Sequence, residues 1–233
     1  MPAEPIQLSE SFGWYLVARF ELLDVQSILQ QFDSPRGADG PTGREEFKTK
    51  VADLYEASCR MRETFMTAYD RFLVEGAVAL GLTDAQMDSL QRLLRCKVRF
   101  IHHADCVLIY APMRTDRNRI PAQTVFYVMH ASMEMFSECL LASNRLQGWL
   151  DVGLGMEGAD GAFYGPELAQ LWDRKRAILQ PRITVGKALY GYLKCTDIVA
   201  DASNLERVIN RRFADRCLEA LVVDDNGILY LKL

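Results

Sequence analysis

Apolar residues recur at helical spacing along most of this chain. Ser9 or Ser11 can cap a first helix, in which Phe12, Tyr15, Leu16, Leu22, Leu23, Ile28 and Leu29 return every three to four residues. "DSPRGADGPTG" stops it with Pro35, Gly37, Gly40 and Pro41. Thr42 and Glu45 then have capping-box spacing, and a long helix is expected from about Arg44 to about Leu80. Its stripe runs through Phe47, Val51, Leu54, Tyr55, Cys59, Met61, Phe65, Met66, Tyr69, Phe72 and Leu73. Thr83 with Gln86 repeats the capping pattern and opens a helix to about Tyr110, which stops before Pro112. The basic connection "PMRTDRNRIP" follows. A fourth helix, apolar on most sides, is expected from about Ala122 to Leu150 and reads as the centre of the packing.

The pattern changes after Leu150. "DVGLGMEGADGAFYG" is rich in glycine but has neither a G-K-[ST] signature nor a preceding β-run, so it reads as a linker or loop and not as a phosphate cradle. Shorter helices are expected beyond Pro166, in "PELAQLWDRKRAILQ", "RITVGKALYGYLK", "TDIVADA" and "SNLERVINRRFADRCLEAL". The chain closes with "LVV", "DDNG" and "ILYLKL". Asn-Gly between two β-prone runs is the strongest short hairpin signal, and it predicts a type I′ turn. The expected fold is mainly α: a bundle of about four long helices over residues 1–150, a glycine-rich linker or loop at 151–165, and a smaller α-rich segment at 166–233 ending in a β-hairpin.

Composition narrows the classes. The 233 residues are 49% hydrophobic and 25% charged, as in an ordinary globular protein able to bury a core. A net charge of −4 argues against a protein that coats nucleic acid through a basic surface. The six cysteines form no C-x-x-C pair and read as small buried hydrophobes. "MPAEPIQLSES" has no signal-peptide character, and no apolar run is long enough to span a bilayer. A reducing intracellular compartment, such as the cytoplasm, and no membrane contact are therefore expected.

From Arg182 onward the order helix, short helix, helix, hairpin resembles a winged helix-turn-helix. The resemblance covers about the last fifty residues and rests on pattern only. It implies helices at Arg182–Lys194, Thr196–Asp201 and Ser203–Cys217, with Leu221–Leu233 as the wing. In a nucleic-acid-binding use, Asn204, Arg207 and Arg211 would present one polar face to DNA, opposite Leu205, Ile209 and Phe213. Arg212 and Arg216 fall near the apolar side, and Glu206 and Asp215 dilute the charge. In a protein-binding use the wing packs against a partner through Val222, Ile228, Tyr230 and Leu231, because chain-terminal strands are placed for edge addition.

Chemistry-bearing motifs are sparse. Arg95 and His102 lie seven apart and would share a helical face. The spacing resembles the loose R-x(4–6)-H signature of HEPN-type ribonucleases, which implies acid–base and charge-stabilising roles for this pair on RNA. The residue after the arginine is Cys96, where that family often has a polar group. His130 and Glu134 share a helical face, but no Glu-x-x-His occurs, so no metal site and no cofactor is expected. The leading expectation is a non-enzymatic interaction or scaffold subunit that docks a protein partner or a copy of itself through the bundle and the terminal hairpin. A nucleic-acid-binding regulator is the alternative, and a HEPN-like ribonuclease the second.

Overall fold

The computed structural model replaces the expected helical bundle with an α/β fold built on an eight-stranded mixed sheet. It describes residues 8–23, 25–30, 41–78, 83, 97–102, 106–113, 122–158, 162–166, 180–195 and 204–232. In chain order the elements are β1 (Leu8–Leu22), α1 (Val25–Gln30), α2 (Pro41–Val78), β2 (Arg99–His102), β3 (Cys106–Pro112), α3 (Ala122–Leu141), β4 (Leu146–Gly158), β5 (Phe163–Tyr164), β6 (Ile183–Val185), α4 (Lys187–Lys194), α5 (Asn204–Glu219), β7 (Leu221–Val223) and β8 (Leu229–Leu231). The strand order is β2-β3-β1-β4-β6-β8-β7, with β5 paired to β4. β4 and β6 run parallel, and the other pairs are antiparallel.

The first expected helix is instead the long strand β1. Leu16, Ala18, Phe20 and Leu22 point into the core beneath α2 and α3. Tyr15 and Val17 belong to a second buried cluster with Leu108, Tyr110, Trp149 and Phe163. A strand buried on both faces loses the polar alternation that marks strands in sequence. Arg19 and Glu21 complete the disguise, because both are buried and joined by a 2.6 Å ion pair. Gln147 on β4 also donates to Glu21. The same double burial hides β3, whose "CVLIYA" was expected to finish a helix. Most of that expected helix, Arg95 included, lies outside the described residues.

The fourth helix, α3, ends nine residues earlier than expected. Ser143 takes φ 60° just past its end. The Ser143 amide donates to the Leu140 carbonyl and the Asn144 amide to the Cys139 carbonyl, which completes a Schellman stop without the usual glycine. β4 follows at once and carries the chain through most of the expected linker, with Asp151–Gly158 in strand. Its glycines serve packing. A side chain at Gly148 would meet the Phe20 ring at 2.5 Å, and one at Gly155 the Phe163 ring at 2.4 Å.

The terminal segment does not stand apart as a small module, since its strands extend the main sheet. The expected helix Arg182–Lys194 begins as β6, which pairs with β4 and β8. Asp151, buried on β4, accepts the Leu189 amide at 2.9 Å and so caps α4 from a distant strand. Its carboxylate fills the space beside Gly186, where a Cβ would lie 1.7 Å from Oδ2. The closing hairpin forms as expected, but with a different turn. Only Gly227 has positive φ, at 75°, and its amide donates to the Asp224 carbonyl at 2.9 Å. This is a turn with a left-handed bulge residue in place of type I′. Asp224 holds it by accepting the Asn226 and Ile228 amides at 2.9 Å each. The Ile228 bond, helped by Arg182, keeps the Asp224 carboxyl below the ordinary carboxylate range.

Candidate protein-docking surface

The hairpin expected to meet a partner extends its own sheet, with β7 as the edge strand. Leu231 is buried in the core, and β8 lies between β6 and β7. Val222, Ile228 and Tyr230 are half-buried. Arg182 lies over the Tyr230 ring at 5.9 Å while donating to Asp224 at 2.9 Å.

The residues of the nucleic-acid reading lie on α5. Asn204 is its first residue, with a side chain outside the description; Arg207 is exposed and Arg211 half-buried. Ile209, Phe213, Ala214 and Cys217 form the buried side, which packs on α3 through Phe126 and Tyr127. Arg212 and Arg216 are exposed and do not sit on the apolar side. Arg211 pairs with Asp215 at 2.9 Å and Arg216 with Glu219 at 3.0 Å, so acids offset the outward charge.

His102 lies on strand β2, which removes the shared helical face proposed for it with Arg95. Its imidazole is hydrogen-bonded to Ser58 and stacked on Tyr55, with ring centroids 6.3 Å apart. A hydroxyl against an imidazole is half of a nucleophile–base pair. Ser58 is 2% exposed, however, so its oxygen is closed to a substrate. The pair fastens α2 to β2. Among the described residues no group of three His, Cys, Asp or Glu side chains could hold a metal ion. No described helix is long and apolar enough to cross a membrane.

Helix α2 carries the surface that sequence reasoning missed. Positions 47, 51, 54, 58, 61, 65, 68 and 72 alternate steps of four and three, the spacing that keeps one face toward a partner helix. From Ala57 onward this face is core: Met61, Phe65, Ala68 and Tyr69 are buried, and Tyr69 meets Tyr127 of α3. Before Ala57 the same face is only partly covered, with Leu54 packed against the core. Phe47 and Val51 are each 40% exposed and Tyr55 is 64% exposed. Residues 44–49 and 51–53 are all exposed, with Lys50 and Leu54 half-buried. Leu140 and Leu141, at the end of α3, are exposed as well.

A second apolar patch lies where β1 meets β4 and β5. Phe12, Trp14, Leu154 and Tyr164 are exposed there, with Trp14 opposite Leu154 and Phe12 opposite Met156.

No family model matches this chain, and no curated protein matches it. The functional reading therefore rests on the surface itself.

Proposed function

We propose that this chain is a non-enzymatic protein-interaction subunit that docks a partner through the first half of α2. One observation carries the reading: the apolar seam that buries the second half of α2 continues, in register, onto exposed residues of the first half. Soluble surfaces tolerate scattered apolar residues, but an aligned stripe marks a contact. The clamp of Tyr55 and Ser58 on His102 presents the helix in a fixed direction, which lowers the ordering cost of binding.

The test compares the tagged full chain with Val51→Asp, each recovered from the cells it comes from, by size exclusion with light scattering. Wild type is expected in a stoichiometric complex. The variant is expected at the 26.5 kDa of a single chain, with an unchanged melting temperature. A monomeric wild type, or a variant that keeps the complex, contradicts the reading.

A further inference from the structure

We infer that Asn226 is a site of spontaneous modification: the Gly227 amide closes on its side chain, ammonia is lost, and the isoaspartate that follows releases the β7–β8 hairpin from the sheet.

The chain has five asparagines, and Asn226 alone is followed by glycine; Arg119, Arg145, Leu205 and Arg211 follow the others. When the next main-chain nitrogen attacks an asparagine side chain, a five-membered ring closes. Glycine at that position puts no Cβ in the way and leaves the backbone free to reach the ring geometry.

The structure leaves the reacting groups accessible. Asn226 and Gly227 are exposed, and a Cβ built at Gly227 meets nothing within 4 Å. Among the described residues no hydrogen bond holds the Asn226 carboxamide; the bond of this residue is from its main-chain amide to Asp224. Asn210, by contrast, is buried, and its side chain accepts the Ala122 amide at 2.6 Å. One bond opposes the step. The Gly227 amide donates to the Asp224 carbonyl at 2.9 Å, so the turn must open before that nitrogen can attack. Exposed hairpin tips are where local opening costs least.

Water is the one co-reactant. The Gly227 nitrogen bonds to Asn226 Cγ and gives up its proton; the Cγ–Nδ2 bond breaks, and Nδ2 leaves as ammonia with that proton. Water then opens the ring. Attack at Cγ gives aspartate. Attack at the main-chain carbonyl gives isoaspartate, with the chain now running through Cβ and Cγ. Nothing is oxidised or reduced.

The two products act differently on this turn. Aspartate keeps the length of the main chain and adds a carboxylate beside Asp224 and Asp225. Isoaspartate adds one atom to the main chain inside the turn. Asp224 holds the turn by accepting the Asn226 and Ile228 amides at 2.9 Å each, and that register depends on the chain between them. β8 is three residues long and pairs with β6 at Tyr230 and Thr184. A hairpin this short leans on its turn and on its packing, here the buried Leu231. Lengthening the turn therefore loosens β7 and β8 and bares β6 as a sheet edge.

The experiment ages the full chain in mildly alkaline buffer beside two variants. Asn226→Gln lacks the five-membered route, and Asn226→Asp adds the charge without the extra atom. Peptide mapping by mass spectrometry, with enzymatic methylation of isoaspartate, locates the product. Amide exchange reads the hairpin. Asn226 is expected to convert at least tenfold faster than any other asparagine. In the isoaspartate fraction the amides of Leu229–Leu231 are expected to exchange at least tenfold faster than in fresh wild type, while both variants stay near fresh wild type. An Asn226 that stays intact, or converts no faster than the other asparagines, overturns the inference. So does isoaspartate at this position with the protection of β8 unchanged. Equal loosening in aged Asn226→Gln or in Asn226→Asp overturns the role given to isoaspartate.

Discussion

The two halves of α2 share one apolar repeat and have opposite surroundings. From Ala57 to Phe72 the stripe lies in the core against α3 and the sheet, where Phe65 packs on Tyr69 and Phe100. From Phe47 to Tyr55 the cover thins: Phe47, Val51 and Tyr55 are 40–64% exposed, while Leu54 still packs against the core. Helix formation by itself does not explain the continuation, because isolated helices of this length are marginal in water. The proposed docking role is our reading of a stripe that outlasts the core it serves. The boundary between the halves is where Ser58 is fastened to His102.

The comparison breaks most visibly in stability. Phe65→Ala is expected to cost about 3–5 kcal/mol, because a fully buried ring leaves a cavity. Val51→Ala, at the same face of the same helix, is expected to cost about 0.5 kcal/mol or less. Urea unfolding of the two variants checks this; equal losses would mean that both halves belong to one core. A smaller effect is expected at the boundary. Ser58→Ala removes a buried hydrogen bond and should cost about 1 kcal/mol. Amide exchange should then quicken from Val51 to Ser58, while the amides after Met61 keep their protection.

The smallest effect is pH-dependent and touches only the second half. His130 on α3 lies against the rings of Phe72 and Phe126, at 5.5 and 4.2 Å, with Glu134 one turn on, bonded to Arg71. Burial lowers its pKa below the ordinary 6.5. The folded state thus resists protonation that the unfolded chain accepts. Its contribution is full above pH 6.5 and declines as pH falls toward the lowered folded value. Wild type should lose stability between pH 7 and 5 relative to His130→Gln, by thermal melts. Parallel curves would mean that the imidazole is not sequestered.

Parts of this molecule are plain in the sequence. α2 is expected over Arg44–Leu80 and occupies Pro41–Val78, because its stripe persists for about seven turns, from Phe47 to Leu73. Asn226-Gly227 announces the hairpin, though Asp224 and a single positive φ set its turn. The sheet is hidden for physical reasons. β3 and the Tyr15–Leu22 stretch of β1 are buried on both faces and show no alternation. Arg19 and Glu21 look like a polar helix face until their mutual pairing is seen. The glycines of β4 read as a linker because the rings lying on them come from distant Phe20 and Phe163. Ser143 stops α3 in a conformation more often given to glycine. The stripe of α2 is legible as spacing at 47, 51 and 54. Which half of the stripe the core would cover depends on the sheet, and so the open half was not legible.

Amide hydrogen exchange along α2 tests the central claim most directly. In the free chain, amides from Arg44 to Leu54 should exchange far faster than those from Met61 to Phe72. Equal protection of the two halves in the free chain would contradict the account.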